Sequence, residues 1–391
     1  MSPDRIPRDA DNDYTRAAAQ RRREFIEQRC GVSLEHTAQY SFDPAILPGN
    51  IENFTGVVQL PLGFAGPLRV NGEHAQGDFY VPMTTTEGTL IASYSRGMGI
   101  TREAGGITTT VVDDAMQRSP VFVFEDARGA RDFGDWVTAN FEAIRAAAEA
   151  TTRSGRLRDI EQYAASRMRY LRFNFTTGDA AGQNMTGKAT YAACQWIRQH
   201  YPGTISHWFL SGNMDTDKKH SQLNTLRSRG KRVIAEVTLP RQLVEQRLRT
   251  TPEAMYAARK TSQLGGLMAG AVHNGVHPAN GIAAVFIATG QDEANVAESH
   301  ASLVFAEVTP AGDYYYSVTL PSLIVATYGG GTGLATQKEC LQVMDCYGKG
   351  KAKKLAEIIA ATVLCGEISL GAAVVSEEWV SSHDELGRNR P

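Results

Sequence analysis

The feature of this sequence that most constrains its fold is an ordered series of strand and helix patterns between residues 119 and 210. Strands are indicated by short apolar or alternating runs, and helices by apolar residues that recur every three or four positions. The series consists of a strand at 120–124, a helix at 136–148, a strand at 171–175, a helix from 184 to about 200 and a strand at 205–210. This β-α-β-α-β order predicts a compact α/β unit of the split-βαβ kind.

The rest of the chain differs from this unit, because it is rich in glycine and its longer patterns are helical. Glycine and proline interrupt residues 45–70 so often that we predict turns and short strands there. Buried helices are expected at 252–270 and 278–290, and a long helix at 350–380. We therefore predict an α+β fold in which the α/β unit is inserted. Its parts are an N-terminal helical segment at 1–45, a large, mostly helical domain at 46–118 and 211–380, a small domain at 119–210 and a mobile tail at 381–391.

The composition is that of an ordinary soluble globular protein, since 42% of the 391 residues are hydrophobic and 21% are charged. The net charge of −2 attracts neither nucleic acid nor a membrane, so we expect no such partner. The five cysteines are scattered and form no CxxC pair, which favours a reducing, cytoplasmic location over a disulfide framework or zinc site. We expect no signal peptide, because residues 1–28 hold no apolar run. Glu367 inside the apolar stretch 358–375 favours a helix buried in protein over a membrane span.

The most charge-dense loop is Asp217-Lys218-Lys219, which follows the last strand of the inserted unit. A loop that a rigid strand positions is a common place for binding and catalytic side chains, and a lysine there is suited to polarise a carbonyl group. The alternative is a solvated turn whose ion pairs contribute little. The local sequence favours the solvated turn, and only the wider pattern of motifs favours a catalytic lysine.

Two isolated carboxylates are candidate acids. Glu87 lies between threonines and the start of an apolar helix, so it is either a general acid or a first-turn glutamate favoured by the helix dipole. Asp292 follows a buried helix, where a negative charge opposes the dipole. Because a structural reason for Asp292 is harder to find, a functional role is favoured there.

The histidines do not predict a metal site. His273 and His277 are four residues apart, but Gly275 and Pro278 argue against the regular helix that would bring them together. We therefore expect no bound metal. His383 stands alone in the polar tail, where it is either solvated or able to close over a site and protonate a leaving group.

A glycine-rich run at 182–189 nearly matches the phosphate-binding loop GxxxxGK[ST]. Its last position is Ala189, which lacks the hydroxyl that would bind magnesium, so ATP hydrolysis is disfavoured. The run still opens a helix whose N–H groups are suited to a pyrophosphate. No GxGxxG follows a predicted strand, so a Rossmann domain is not predicted.

Taken together, the motifs resemble the 3-hydroxy-3-methylglutaryl-coenzyme A reductase family from about residue 40 onwards. The matching motifs, in order, are Glu52-Asn53-Phe54-Thr55-Gly56, Pro61-Leu62-Gly63-Phe64-Ala65-Gly66-Pro67-Leu68, Thr85-Thr86-Glu87-Gly88, Gly178-Asp179-Ala180-Ala181-Gly182-Gln183-Asn184-Met185, Thr216-Asp217-Lys218-Lys219, Gly290-Gln291-Asp292 and Gly329-Gly330-Gly331-Thr332. The Asp-Lys-Lys form and the lone tail histidine resemble the class found in eukaryotes, archaea and some bacteria. The sequence shows no membrane anchor like that of some members, so a soluble form is expected.

The resemblance implies reduction of 3-hydroxy-3-methylglutaryl-CoA to mevalonate with NADPH, and a small, ferredoxin-like nucleotide-binding domain that is not a Rossmann fold. It also implies a homodimer or homotetramer with active sites between subunits. The implied catalytic residues are Lys218 as the electrophile, Glu87 as the proton donor to the aldehyde, Asp292 coupled to both, and His383 as the acid for the coenzyme A thiolate. The implied substrate contacts are Arg118, Ser211, Asp217, Lys219, Asn280 and Lys260, with Ser93, Ser95, Arg96 and His277 contacting coenzyme A. The implied NADPH contacts are Thr152, Arg153, Asp179, Gly182, Gln183, Asn184 and Met185, with Arg153 suited to the 2′-phosphate.

The sequence departs from the family pattern at a few of these positions. Gln183 and Ser95 replace a methionine and an asparagine, the loop near His273 is one residue shorter, and Lys260 is slightly out of register. These departures leave open a reductase of a different acyl-CoA. A P-loop-like nucleoside triphosphatase and a binding protein without catalysis are the alternatives from other classes.

Overall fold

The computed structural model describes residues 5–377 and, beyond them, Asp384 and Leu386. Most of the predicted tail, His383 included, lies outside the described residues. The strands are β1 Leu62–Gly72, β2 Gln76–Thr84, β3 Ile107–Arg118, β4 Val121–Val123, β5 Arg156–Ala165, β6 Met168–Thr176, β7 His207–Phe209, β8 Gly230–Leu239, β9 Leu303–Val308 and β10 Tyr314–Leu323. The α-helices are α1 Arg16–Cys30, α2 Leu90–Glu103, α3 Ala127–Ala139, α4 Phe141–Glu149, α5 Gln183–His200, α6 Gln222–Leu226, α7 Arg241–Leu248, α8 Pro252–Met268, α9 Pro278–Thr289, α10 Val296–Ser299, α11 Ala335–Val343 and α12 Ala352–Val375. The fold is therefore a mixture of helix and sheet, as the α+β prediction requires.

Strand β3 joins the two parts of a ten-stranded sheet. Its residues Thr108–Ala115 pair with β8, and its last residues, Met116–Arg118, pair with β6. All members of the largest core cluster lie outside 119–210, whereas all members of a second, aromatic-rich cluster lie inside it. Two separate cores thus share one strand.

The part that contains the second core has one strand more than predicted. Its sheet order is β5–β6–β4–β7, and along the chain its elements read β-α-α-β-β-α-β. The additional strand is β5, whose sequence is mostly polar and whose face is mostly exposed or half-buried, so it carries no clear apolar alternation. The single predicted helix at 136–148 is two helices, α3 and α4, which meet at Asn140.

The larger core is built around α12, a helix of 24 residues that is almost entirely buried. It packs against α2 and α9 and against strands β3, β8 and β10. The helix is long and apolar enough to cross a membrane, but 78% of its apolar window is buried inside the protein. This agrees with the expectation of a protein-buried helix, which rested on Glu367.

Three predictions about this larger part are wrong. It is less helical than expected, because six strands line it. The segment 45–70 was predicted to hold only short strands, but its end is occupied by β1, which has 11 residues. Gly66 and Pro67 lie at a register shift of β1 between Ala65 and Leu68. Helix α8 is not buried throughout, because Leu267 and Met268 are 74% and 81% exposed.

Candidate active site

Lys218 is held in a strained loop between β7 and α6. Its φ is +59°, and Asn213 and Thr216 in the same loop have φ of +68° and +54°, a region that residues other than glycine seldom adopt. The Lys218 ammonium pairs with the carboxylate of Asp292 and donates to the side-chain oxygen of Asn295 at 3.0 Å. The loop is therefore not a freely solvated turn, and its lysine has a fixed position beside a carboxylate.

Asp292 also has a structural role that the sequence did not reveal. Its side chain accepts a hydrogen bond from the backbone N–H of Ala294 and so caps the short helix 293–295. This cap, which follows the left-handed Gly290 at the end of α9, explains the carboxylate at a helix end.

A second group of predicted residues lies at the other end of α9. Asn280 donates to the Glu87 carboxylate at 2.8 Å, and Glu87 lies in the loop between β2 and α2 rather than in the first turn of α2. The His277 ring stacks on Tyr94 with 5.1 Å between centroids. Burial lowers the pKa of His277, and the Glu87 carboxylate partly opposes this shift.

Glu87, His277 and Asn280 line a cleft of about 560 Å³. Its apolar wall includes Leu90, Leu370 and Val374. On its polar side Arg96 donates to the Ser369 hydroxyl at 3.0 Å and to the Ser369 carbonyl at 2.6 Å. An apolar wall beside an arginine suits a ligand with both an aliphatic chain and phosphate or carboxylate groups.

The Lys218 group and the Glu87 group are far apart within one chain. Asp292 follows the C-terminal end of α9 and Asn280 lies in its first turn. At 1.5 Å rise per residue, this separates the two groups by about 15 Å. One small substrate cannot contact both within a single chain.

The predicted nucleotide motif opens α5. Gly182 has a φ of +86°, and the first N–H groups of α5 follow it. A Cβ on Gly155 would lie 2.4 Å from the Met185 sulfur and 3.3 Å from the Thr152 methyl, so the structure brings these two segments together. Arg153 and Asn184 are exposed beside them. A helix N-terminus flanked by an exposed arginine fits a phosphate-bearing ligand.

Gln183, one of the departures from the family pattern, reaches the lysine loop. Its amide donates to Asn295 at 2.9 Å and weakly to Asp217 at 3.4 Å. Since Asn295 also accepts from Lys218, this glutamine links the predicted nucleotide motif to the predicted electrophile.

Asp179 has a role that differs from the predicted nucleotide contact. Its carboxylate accepts hydrogen bonds from the N–H groups of Gly350, Lys351 and Ala352, at 2.8, 3.1 and 3.2 Å. It therefore caps the N-terminus of α12. A contact with a nucleotide remains a prediction.

The remaining predicted residues are distributed as follows. Arg118 donates to the buried Asp215 at 2.9 Å, Lys219 donates to the Asp217 carbonyl at 2.9 Å, and Ser93 contacts Ser369 at 3.0 Å. Ser211 is exposed and Ser95 half-buried. Lys260 lies over the ring of Tyr256, 4.5 Å from its centroid, and has no contact in the described part of the chain with the other predicted residues.

Three residues that position the lysine loop were not predicted from the sequence. They are Arg229, Asn295 and Glu298, all buried. Glu298 follows mostly exposed and half-buried residues, so nothing in the local sequence indicates that it is buried or that it lies beside Lys218.

An enzyme that reduces a carbonyl group needs a cation that stabilises the carbonyl oxygen and acids that supply protons. The site offers both kinds of side chain, so the α+β fold and the site define an oxidoreductase. A sequence model of the family described as hydroxymethylglutaryl-coenzyme A reductase matches residues 18–388. The chain belongs to this family. It is 44% identical over 385 residues to 3-hydroxy-3-methylglutaryl-coenzyme A reductase of Pyrococcus abyssi, covering 96% of this chain and 94% of that protein.

Other relatives and solved structures agree with this family. The reductase of Haloferax volcanii is 42% identical over 377 residues, covering 95% of this chain and 93% of that protein. A structure of the class II reductase from Streptococcus pneumoniae bound to NADPH in open conformations superposes with a TM-score of 0.68 at 20% identity, covering 93% of this chain and 99% of that chain. At that identity the likeness supports the fold alone.

Proposed function

We propose that this protein reduces 3-hydroxy-3-methylglutaryl-CoA to mevalonate and coenzyme A, consuming two NADPH and two protons, as a step of isoprenoid biosynthesis. The observation that carries the proposal is the Lys218 ammonium fixed between Asp292 and Asn295 in a strained loop. A fixed cation stabilises the negative charge that develops on a carbonyl oxygen without reorganising during the reaction. Membership of the reductase family supports the same conclusion.

Two NADPH molecules, bound one after the other, would each supply one hydride to the same carbon, first as the thioester carbonyl and then as the aldehyde. In the first reduction Lys218 stabilises the oxyanion formed from the thioester. The resulting hemithioacetal loses its C–S bond, and His383 protonates the leaving thiolate. In the second reduction Lys218 polarises the aldehyde and Glu87 donates the proton that completes the alcohol. Asp292 holds the lysine and tunes both proton transfers.

We propose that residues 119–210 form the small domain that holds NADPH. The strand order β5–β6–β4–β7 with α3, α4 and α5 supports a ferredoxin-like unit. Gly182 and Asn184 would lie at the diphosphate, and Arg153 at the 2′-phosphate. The two separate cores support division of the chain into a large and a small domain.

We further propose a homodimer or homotetramer whose active sites form between subunits. The Glu87 and Lys218 groups lie at opposite ends of α9, yet the reaction requires both at one carbonyl carbon. A second copy would bring its own Lys218 group to this chain's Glu87 group. The exposed apolar side chains at the C-terminal end of α8, Leu267 and Met268, are suited to such an interface. We place the enzyme in the cytoplasm.

The decisive assay follows NADPH absorbance with 3-hydroxy-3-methylglutaryl-CoA as substrate. We expect turnover by the wild type, with two NADPH consumed per mevalonate. Lys218→Met should lower kcat at least about 100-fold, because the methionine keeps the side-chain length and removes the cation. Lys188→Met is the matched control, since Lys188 is an exposed lysine of the near-P-loop run and has no proposed role in reduction.

Absence of turnover by the wild type with both NADPH and NADH would refute the proposed function. Turnover with a different acyl-CoA thioester but not with this one would instead favour the alternative substrate. ATP hydrolysis that Lys188→Met abolishes would favour the nucleotide-hydrolase alternative.

A further inference from the structure

The backbone of Lys218 is anchored by a buried ion pair that comes from two other segments. Glu298 in α10 accepts the Lys218 backbone N–H at 2.7 Å through Oε1. The same oxygen accepts from Arg229 Nε at 2.9 Å. Both charged side chains are 0% exposed. The contact is remote in sequence, since Glu298 and Lys218 are separated by 80 positions.

Arg229 extends this anchor to the residue before the lysine. Its guanidinium donates to Asp217 at 2.7 Å and to the Gln117 carbonyl at 3.2 Å. One arginine therefore holds Glu298, the end of β3 and the start of the Asp-Lys-Lys motif together. Since Arg229 precedes β8 directly, the sheet itself determines where the lysine loop lies.

The left-handed conformation of Lys218 is what makes such an anchor necessary. A left-handed residue other than glycine costs about 1–2 kcal/mol. Without a fixed partner for its N–H, Lys218 would relax to an ordinary conformation and swing its side chain. Strained residues of this kind persist only where their surroundings determine them. Glu298 supplies the determining contact.

The acceptor oxygen, rather than the charge, is the essential feature of Glu298. Oε1 makes both hydrogen bonds, whereas Oε2 is buried and has no hydrogen-bond partner among the described residues. A glutamine would keep Oε1 and replace only the oxygen that has no partner. Arg229 would keep Asp217 as a counter-ion.

We propose that Glu298, fixed by Arg229, is a positioning residue that sets the backbone of Lys218 and so aims its ammonium group at the substrate carbonyl. The inference rests on the proposed function for its consequence in catalysis. The hydrogen bond by which Glu298 fixes the Lys218 backbone N–H does not depend on that function. No contact of Glu298 with substrate is implied.

The test compares Glu298→Leu, which removes the acceptor, with Glu298→Gln, which retains it. Hydrogen–deuterium exchange of the peptide that covers 211–220 is measured on the intact free enzyme. We expect faster exchange in Glu298→Leu and near wild-type exchange in Glu298→Gln. In turnover, Glu298→Leu should lower kcat about 10- to 100-fold, as a displacement of about 1 Å does, with little change in the KM for NADPH. Glu298→Gln should restore most of kcat.

Glu357→Gln is the matched control. Glu357 is also a buried carboxylate that accepts backbone N–H groups, but it holds the turn between β1 and β2. Its substitution should alter stability without changing exchange at 211–220 or kcat. If Glu298→Leu does not fold, Arg229→Lys replaces it, since a lysine lacks the Nε–H that fixes Oε1, and exchange should rise in the same way.

The proposal is overturned if removal of the acceptor leaves exchange at 211–220 unchanged, or if Glu298→Gln loses as much activity as Glu298→Leu. A wild type without reductase turnover would refute the proposed function alone. The exchange measurement would still decide whether Glu298 holds Lys218.

Discussion

At the scale of single residues, three histidines lie close together behind the lysine loop. The centroids of His220, His273 and His300 are 5.0–6.2 Å apart in pairs. Burial and the nearby His300 and His220 rings lower the pKa of His273 to about 4, and burial and His300 lower that of His220. The folded protein therefore keeps the His220 and His273 rings neutral at a pH where the unfolded chain protonates them.

This cluster predicts a loss of stability on acidification. The unfolded chain binds more protons than the folded protein between about pH 6.5 and about pH 4, so the free energy of unfolding is highest above that range and falls within it. Between pH 7 and pH 5 the free energy of unfolding of His273→Gln should fall by about 1 kcal/mol less than that of the wild type, because glutamine does not titrate. The difference is smaller than the full pKa shift implies, because His273 is only half-buried and solvent screens its charge. Urea unfolding at both pH values measures this. An equal loss in both proteins would contradict it.

At the scale of elements, the backbones of α2 and α12 cross closely at Gly97. A Cβ on Gly97 would lie 2.1 Å from the backbone oxygen of Cys365, whereas a Cβ on Gly99 would meet no atom within 4 Å. Both glycines lie inside α2 and have ordinary helical φ. They differ only in what faces them.

Gly97→Ala should therefore destabilise the protein by about 2–3 kcal/mol, because the two helices must separate. Gly99→Ala should stabilise it by about 0.5–1 kcal/mol, because alanine is the better helix former and has room. Urea unfolding of both variants measures the difference. Equal effects of the two substitutions would show that the helix crossing does not set the cost.

The elements also show what local sequence predicts. Helices α9 and α12 were predicted because each is a long apolar stretch of sequence. Lys218 was chosen because its motif occurs in order with others, and its catalytic role stays a prediction. Strand β5 was missed because its exposed faces leave no apolar alternation. The contact of Glu298 with Lys218 was missed because it joins segments that only the folded sheet brings together.

At the scale of the whole molecule, the two cores are tied by more than the shared strand β3. Asp179, which precedes α5 in the smaller core, caps α12 at the centre of the larger one. Arg172 on β6 donates to Asn224 in α6 at 3.2 Å. We therefore expect the two parts to unfold in one transition rather than in two.

Asp179→Ala should lower the free energy of unfolding of the whole protein by about 1–2 kcal/mol, because it leaves the first N–H groups of α12 without their cap. Asp345→Asn is the control at the same end of α12, because asparagine tolerates the left-handed backbone of Asp345, whose φ is +49°. The Asp345 carboxylate is 73% exposed and pairs with the ammonium groups of Lys351 and Lys354, so loss of its charge should cost less than about 1 kcal/mol. Denaturant titration followed by circular dichroism measures both. A larger loss for Asp345→Asn than for Asp179→Ala would contradict the cap.

The central position of α12 has a consequence for biosynthesis. The strands and helices of the described chain that pack against it, from β1 to β10, all precede it in the sequence. The ribosome therefore completes the strands and helices that surround the larger core, here called its walls, before it synthesises α12, which packs between them. We expect those walls to remain open during translation and to close only after α12 has emerged, whereas the aromatic-rich core at 122–208 can fold much earlier. The nascent chain is then most exposed to aggregation, and to chaperones, in the interval between the two events.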